Sequence, residues 1–207
     1  MQTITFIGSG NMGLSIAKGL KGTYNIEVVG RNMKKLDAFE KALGLKIDKY
    51  LLDNFDITDK TILFCVKPAN VEEVAAKLKG KARVIFSVLA GTSLKKLKEN
   101  LNTYAVVRTM PNLAASVGRS MTTLTGDISH KEEAITLLGA IGDTLWLDSE
   151  KEIDIATALA GSGPAYLALV AEALADGAVK QGLKREHAMT AMRGLFSGFG
   201  ELIQEVH

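Results

Sequence analysis

The feature that most constrains this chain is an apolar run near its start that ends in three closely spaced glycines. Residues 3–7 lead directly into Gly8, Gly10 and Gly13, which have the spacing G-x-G-x-x-G. In a strand–turn–helix unit the first glycine makes the turn, the second lets the backbone approach a pyrophosphate, and the third lets the helix pack on the strand. The helix N-terminus then offers free N–H groups to the phosphates. The motif therefore predicts dinucleotide binding, and a purely structural turn is the alternative.

The residues after the second predicted strand indicate which dinucleotide is bound. That strand covers residues 26–29 and is followed by Gly30, Arg31 and Asn32. About 20 residues beyond the glycines, an acidic side chain would bind the ribose 2′-hydroxyl of NAD, whereas an arginine suits the 2′-phosphate of NADP. Arg31 therefore favours NADP, and an exposed loop arginine is the alternative.

Strand-like and helix-like segments alternate over residues 1–148. The other predicted strands cover residues 45–50, 61–66, 83–89, 104–108, 120–124 and 144–147, and the predicted helices cover residues 11–20, 33–43, 68–78, 94–101 and 131–141. Gly44 is expected to end the second helix, and Ser93 is expected to cap the fourth. This alternation predicts an α/β fold with a mostly parallel sheet and right-handed crossovers.

Candidate ligand-binding groups follow several of these strands. Ligands of parallel sheets lie beyond the carboxyl ends of the strands, so Lys67 is expected to point into that crevice, with a solvated lysine as the alternative. Pro68 can open the next helix. Ala90 and Gly91 would let a cofactor lie against the backbone. Asn112 either places its amide near a nicotinamide or forms a turn with the preceding proline.

Residues 149–207 show helical periodicity only, so we expect a second, all-helical domain there. Ser162 is expected to cap its long helix, with Pro164 in the first turn. Residues 155–175 are apolar enough to suggest a membrane span, but residues 161–164 are expected to break them into pieces too short for a bilayer of about 30 Å. The alanine-rich composition favours packing against other protein instead.

The bulk composition gives no support for a nucleic-acid or membrane partner. The 25 Lys and Arg against 23 Asp and Glu leave a formal charge of +2 without a long basic run. The single Cys65 cannot form an internal disulfide, and the first strand begins almost at Met1, so we expect a cytoplasmic protein. The histidines show no metal-ligand spacing, so no metal site is expected.

Four motifs occur in the order found in one enzyme family. They are Gly-Ser-Gly-Asn-Met-Gly at 8–13, Val-Lys-Pro at 66–68, Arg-Thr-Met-Pro-Asn at 108–112 and Ala-Leu-Ala-Gly-Ser-Gly-Pro-Ala-Tyr at 158–166. Together they resemble pyrroline-5-carboxylate reductase, the enzyme of the last step of proline synthesis. The resemblance covers essentially the whole chain, and the Gly-Ser-Gly-Pro-Ala-Tyr stretch is its most specific part.

The resemblance implies an amino-terminal Rossmann domain and an all-α dimerisation domain, assembled as a homodimer or a larger ring of dimers. It also implies hydride transfer from NAD(P)H, with NADPH preferred, to the small-molecule substrate pyrroline-5-carboxylate. The implied catalytic residues are Lys67 and Glu205. The implied substrate-binding turn is Ser162, Gly163 and Pro164. The implied cofactor contacts are Gly8, Ser9, Gly10, Asn11, Met12, Gly13, Arg31, Asn32, Val66, Lys67, Pro68, Ala90, Gly91 and Asn112.

Two departures from the family pattern set further expectations. Leu113 and Ala114 stand where the family has Thr-Pro, which leaves the shape of that loop open. The family also has a later Ser-Pro-Gly-Gly-Thr-Thr segment that holds the substrate carboxylate, and the sequence stops at His207 without it. We therefore expect a truncated chain that binds NADPH but reduces pyrroline-5-carboxylate poorly.

Other functions remain open at this point. A β-hydroxyacid dehydrogenase would share the architecture, but it needs a catalytic lysine on the long interdomain helix, and residues 163–177 contain none. A non-catalytic NADP-binding relative would need no segment for the substrate carboxylate. A purely structural helical-interface protein would leave the glycine motif and Arg31 unexplained.

Overall fold

The computed structural model describes residues 1–206, which form ten strands and eight α-helices. The strands are β1 (Thr3–Ile7), β2 (Asn25–Gly30), β3 (Asp48–Leu51), β4 (Phe55–Asp56), β5 (Thr61–Phe64), β6 (Leu78–Lys79), β7 (Val84–Ser87), β8 (Val106–Met110), β9 (Ser120–Gly126) and β10 (Gly142–Trp146). The helices are α1 (Asn11–Leu20), α2 (Met33–Leu43), α3 (Val71–Ala75), α4 (Leu94–Asn100), α5 (Lys131–Gly139), α6 (Glu150–Ala156), α7 (Gly163–Lys180) and α8 (Arg185–Val206). Short 3-10 segments cover Pro68–Asn70, Leu113–Val117 and Ile128–His130, and a π-helical segment covers Thr157–Gly161.

Eight of the strands form one sheet in the order β10-β9-β8-β7-β5-β1-β2-β3. Every neighbouring pair is parallel except β8 and β9, so the prediction of a mostly parallel α/β fold is confirmed. The strand order reverses between β1 and β5, and ligands of such sheets bind beyond the carboxyl ends of the strands at this switch point. Strands β4 and β6 form a separate parallel pair that the sequence did not predict.

The central strands are buried on both faces because helices cover both sides of the sheet. Phe6 of β1 belongs to a core cluster with Leu20 of α1 and Phe39 of α2. The next residue, Ile7, belongs to a second cluster with Val74 of α3. Adjacent residues of one strand thus face opposite layers, which explains why all of residues 4–7 are buried.

Two predicted helix ends, at Gly44 and Ser93, are confirmed. Gly44 ends α2 with a φ of +65°, and Asn32, which the sequence analysis did not name as a cap, begins this helix by accepting a hydrogen bond from the N–H of Lys35 at 3.3 Å. Only a residue that tolerates positive φ fits at the position of Gly44, which favours glycine. Ser93 caps α4 by accepting the N–H of Lys96 at 3.1 Å.

Other predicted bounds are wrong. The helix predicted for residues 68–78 ends at Ala75, because Leu78 instead pairs with Phe55 to form the small second sheet. Ser162 precedes α7, but its side chain makes no capping hydrogen bond. Its backbone is already helical, with φ −91° and ψ −20°, because the π segment runs directly into it. Helix α6 was not predicted separately.

The chain divides into two compact units, Met1–Gly161 and a second that begins at Ser162. The second unit consists of α7 and α8, which pack on each other. An ion pair joins Asp176 of α7 to Arg185 at the start of α8. The domain boundary expected after residue 148 stays a prediction.

The helical run Glu150–Lys180 is long and apolar enough to cross a membrane, judged by length and composition alone. The expectation that residues 161–164 split it into short pieces is wrong, because a π-helical segment lets the helical backbone continue. Only 6% of its apolar window is buried within the chain. Most of this apolar window is therefore exposed in the single chain.

A polar cluster ties α5 to the sheet. The Glu133 carboxylate accepts hydrogen bonds from Arg83 Nη1 at 3.0 Å and from Gln2 Nε2 at 3.3 Å, and it lies 2.9 Å from His130 Nδ1. Burial alone would raise the pKa of Glu133, but the hydrogen bonds from Arg83 and His130 and the charge of Arg83 lower this pKa to about 2. An unfolded glutamate has a pKa of about 4.3. The cluster therefore stabilises the fold above that pH and loses its effect as the pH falls towards 2.

We predict that Glu133→Gln lowers the stability of the protein above about pH 5 and has little effect near pH 2.5, because the wild-type carboxylate is then losing its charge. Urea unfolding midpoints of wild type and variant at both pH values measure this difference. Glu132→Gln removes the same charge from the preceding, exposed residue and serves as the control. Equal destabilisation by Glu133→Gln at both pH values would contradict the prediction.

Candidate functional site

A pocket of about 250 Å³ lies where the carboxyl ends of β1, β2 and β5 meet. This is the position at which the strand order reverses. Pockets that enclose a whole drug-sized ligand usually measure about 300–1,000 Å³, so this one has room for part of a large ligand. Its lining residues are Ile7, Gly8, Ser9, Gly10, Val29, Gly30, Arg31, Asn32, Lys35, Leu52, Cys65, Val66, Lys67, Asn70 and Val74.

Seven of the predicted cofactor contacts line this pocket. They are Gly8, Ser9, Gly10, Arg31, Asn32, Val66 and Lys67. The pocket also includes Asn70 and Val74, which the sequence did not identify as site residues. They reach the pocket because the chain turns after Lys67 in the 3-10 segment that begins at Pro68. The structure therefore brings residues from three separate strand ends to one place.

The three motif glycines stand in different surroundings. Gly8 has a φ of +108°, and a Cβ there would lie 2.7 Å from the carbonyl oxygen of Cys65. A Cβ on Gly13 would lie 3.2 Å from the carbonyl oxygen of Gly8. A Cβ on Gly10 would meet nothing within 4 Å. The fold itself requires glycine at the first position and close packing at the third, whereas the second is open for a ligand to approach.

The start of α1 is suited to an anion. Gly10 precedes the helix without a capping side chain, and the first turn contains no acidic residue. The first intrahelical bond runs from the N–H of Leu14 to the carbonyl of Gly10 at 3.0 Å. The N–H groups of Asn11, Met12 and Gly13 have no partner within the helix, so they remain available for a phosphate.

Cationic and amide groups lie at the end of β2. Arg31 is half exposed, and its Nη1 lies 3.3 Å from both carboxylate oxygens of Glu73. An exposed ion pair of this kind contributes at most about 1 kcal/mol, so Arg31 can turn to a stronger anion at little cost. Asn32 and Lys35 line the pocket beside it.

The residues after β5 form another wall of the pocket. Cys65 and Val66 continue the strand direction, and the exposed Lys67 follows them. The carbonyl of Lys67 accepts the N–H of Asn70 at 2.9 Å, which fixes the turn that begins at Pro68. Burial raises the pKa of the Cys65 thiol to about 12, so this group is a neutral thiol and not a nucleophile.

The remaining predicted cofactor contacts lie outside the pocket lining. Ala90 and Gly91 occupy an exposed loop after β7. Asn112 is buried, and both ends of its amide are bonded within the protein. Its Oδ1 accepts the N–H of Ala114 at 3.0 Å, and its Nδ2 donates to the carbonyl of Ala160 at 2.9 Å. Its predicted contact with a nicotinamide stays a prediction.

The predicted substrate residues belong to the second compact unit. Ser162 precedes α7, which begins at Gly163 with Pro164 as its second residue. Glu205 lies near the end of α8 and is exposed. Among residues 1–206, no group of three His, Cys, Asp or Glu side chains is arranged to hold a metal ion.

Several comparisons with known proteins name the same enzyme family. The family model for pyrroline-5-carboxylate reductase dimerisation matches residues 150–207, and the one for NADP oxidoreductase, coenzyme F420-dependent, matches residues 3–91. A pyrroline-5-carboxylate reductase from Pisum sativum is 37% identical over 91% of this chain and 72% of its own length. The structure of 1-pyrroline-5-carboxylate reductase from Streptococcus pyogenes superposes with a TM-score of 0.86 at 31% identity, covering 98% of this chain and 79% of that one. Plasmodium falciparum pyrroline carboxylate reductase with NADP bound gives a TM-score of 0.76 at 25% identity, covering 98% and 79%.

We predict that alanine at the first motif glycine mainly lowers stability, whereas alanine at the second mainly weakens dinucleotide binding. Gly8→Ala should lower the free energy of unfolding by at least about 1–3 kcal/mol, because it combines a positive φ with a Cβ against the Cys65 carbonyl. Gly10→Ala should cost less than about 1 kcal/mol, yet it should weaken dinucleotide binding at least tenfold, since the methyl group occupies the approach to the pyrophosphate. Thermal unfolding and equilibrium dinucleotide titration separate the two effects.

Gly22→Ala is a matched control, because this glycine also has a positive φ but open space around it. The loss of stability in Gly22→Ala should reflect backbone strain alone, without a steric clash between the new Cβ and a carbonyl oxygen. Undiminished dinucleotide binding by a folded Gly10→Ala protein would contradict the proposed path of the ligand.

Proposed function

Because the chain belongs to the pyrroline-5-carboxylate reductase family, we propose that it transfers hydride from NADPH to 1-pyrroline-5-carboxylate to form L-proline. The observation that carries this proposal is the pocket that joins the glycine turn, Arg31 and Lys67 at the switch point of the sheet. The matched dimerisation region at residues 150–207 supports the same assignment.

The chemistry requires little acid–base assistance from the protein. NADPH, when bound, supplies a hydride from its nicotinamide C4. The cyclic imine of the substrate is an activated electrophile once it is protonated, so C5 can accept the hydride without a strong general acid. The protein must orient the reactants, complement the cationic imine and exclude water. The absence of a histidine-centred pattern from the sequence is therefore compatible with this activity.

Each proposed cofactor contact has a chemical reason. The N–H groups at the start of α1 would hold the pyrophosphate, and Gly10 leaves space for it. Arg31 would bind the 2′-phosphate of NADPH, supported by Lys35 and the amide of Asn32. These groups would bind NADPH more tightly than NADH, because NADH has no 2′-phosphate to meet them.

The nicotinamide and the substrate would use the other predicted residues. Lys67 at the end of β5 is proposed to act in the reaction, with Val66 and Pro68 beside it and Ala90 and Gly91 further along the sheet edge. The proposed substrate turn is Ser162, Gly163 and Pro164. Glu205 is proposed to complement the positive charge of the imine nitrogen. The family resemblance supports these roles.

The helical region is proposed to bind a second copy of the chain. We assign the Rossmann domain to residues 1–148 and the dimerisation domain to residues 149–207, in line with the matched dimerisation region. A second copy, rather than a bilayer or a nucleic acid, would cover the apolar surface, and the protein would be a cytoplasmic dimer or a ring of dimers. Large apolar side chains exposed on α7 and α8 are Tyr166, Leu167, Leu169, Val170, Leu174, Leu195, Phe199, Leu202, Ile203 and Val206.

We predict that Arg31→Ala weakens NADPH binding about tenfold to a hundredfold and leaves NADH binding unchanged, because a charge-assisted contact contributes about 1.5–3 kcal/mol. Fluorescence titration with both cofactors measures the ratio of dissociation constants. Glu73→Gln is the matched control, since it breaks the Arg31–Glu73 ion pair but keeps the guanidinium, and it should not weaken NADPH binding. An unchanged ratio in Arg31→Ala would remove Arg31 from the site.

We predict that Phe199→Asp shifts the protein from dimer to monomer, weakening association at least a hundredfold, because it places a charge in a buried apolar interface. Sedimentation velocity at micromolar concentration measures the shift. Leu145→Asp changes an exposed leucine of β10 in the other unit and should leave the dimer intact. A dimer that survives Phe199→Asp would contradict this interface.

The assay for the proposed activity is NADPH oxidation in the presence of pyrroline-5-carboxylate, with L-proline measured as product. Turnover at any rate should consume NADPH and form proline in equimolar amounts. Tight NADPH binding without any turnover would favour a non-catalytic NADP-binding relative. Turnover of β-hydroxyacids in place of the imine would contradict the proposed substrate class.

A further inference from the structure

The π-helical segment before α7 contains a carbonyl that lacks its usual helical donor. In an α-helix the carbonyl of residue i accepts the N–H of residue i+4. For Ala160 that residue is Pro164, which has no N–H. The N–H of Ala165 bonds to the carbonyl of Ser162 at 3.0 Å. The local chain therefore leaves the Ala160 carbonyl in need of another donor.

Asn112 supplies that donor. Its Nδ2 lies 2.9 Å from the carbonyl oxygen of Ala160, 48 residues further along the chain. The orientation of the amide is fixed by the N–H of Ala114, which donates to Oδ1 at 3.0 Å and so directs Nδ2 towards Ala160. The backbone is fixed as well, because the N–H of Asn112 donates to Ser120 Oγ at 3.0 Å.

We propose that Asn112 is a positioning residue that holds the Ala160 carbonyl and thereby sets the start of the segment 161–164. This inference rests on the proposed function in one respect, since that segment includes the proposed substrate turn. In this proposal Asn112 acts on the substrate through the π segment, in place of the nicotinamide contact predicted from the sequence. It links the Met-Pro-Asn motif to Ala160, the residue before Gly-Ser-Gly-Pro, by one hydrogen bond, which replaces the helical one that Pro164 removes.

Three roles for Asn112 make different predictions. A cofactor contact would change the dissociation constant of NADPH. A residue needed only for stability would change the melting temperature and leave KM for pyrroline-5-carboxylate at its wild-type value. The positioning role changes the melting temperature and KM but not NADPH binding. It also predicts that the stability effect depends on residue 164, since an N–H at that position can serve the same carbonyl.

The experiment combines a stability cycle with kinetics. Asn112→Ala should lower the melting temperature by about 3–8 °C, because it leaves a partly buried carbonyl unbonded. In the Pro164→Ala background, Asn112→Ala should lower the melting temperature by half as much or less. Asn112→Asp, which keeps the acceptor for Ala114 but loses the donor, should behave like Asn112→Ala. Asn102→Ala is the control, because it removes a similar side-chain bond, to the carbonyl of Gly80 at 2.8 Å, at an exposed site.

The kinetic part uses the Asp variant, which changes the fewest contacts. The dissociation constant of NADPH should stay within about twofold of wild type, and KM for pyrroline-5-carboxylate should rise about tenfold. A tenfold weaker NADPH binding, an unchanged KM or an equal loss of stability in both backgrounds at residue 164 would overturn the proposal. Inactivity of the wild type would count against the proposed function alone, because the stability cycle and NADPH titration still decide whether Asn112 serves Ala160.

Discussion

The close approach of β1 to β5 at Gly8 is the constraint on which the site depends. The strand registers set Ile7 level with Val29 of β2 on one side and with Phe64 of β5 on the other. The residues that follow these three positions are therefore Gly8, Gly30 and Cys65, which lie where the three strands end at one edge of the sheet. Only glycine fits the first of them, because a Cβ would lie 2.7 Å from the Cys65 carbonyl. The turn, Arg31 and Lys67 line one pocket as a consequence of this register.

A second constraint ties α6 to the sheet. Arg108 of β8 is buried, with Nη1 2.6 Å from a carboxylate oxygen of Glu150 and Nη2 2.8 Å from one of Asp154. Glu150 also accepts the N–H of Leu94 at the start of α4, at 2.7 Å. Removing both carboxylates would leave the buried guanidinium of Arg108 without a partner, which is strongly destabilising for a buried charge. These bonds keep α6 within the first compact unit, although the matched dimerisation region already begins at residue 150.

Much of the fold and part of the site could be predicted from the sequence, for identifiable reasons. The glycine spacing is typical of a tight turn between a strand and a helix, and Gly44 marks a positive φ that few other residues accept. The sequence therefore predicts the turn at Gly8 and the end of α2 correctly. The pairing of Leu78 with Phe55 could not be predicted, because two-residue strands have no periodicity of their own. The hydrogen bond of Asn112 could not be predicted either, because its partner is a backbone carbonyl 48 residues away. Ser162 resembled a helix cap, but the π-helical segment before it left no helix start to cap.

The reaction proposed for this chain is direct hydride transfer from NADPH to a cyclic imine. The most direct test uses NADPH that carries deuterium at the transferred C4 position, with pyrroline-5-carboxylate as substrate and mass spectrometry of the product. Direct transfer predicts proline with a single deuterium at C5 and none from the solvent at that carbon. Proline without deuterium at C5, or deuterium retained in the oxidised cofactor while proline forms, would contradict this proposal.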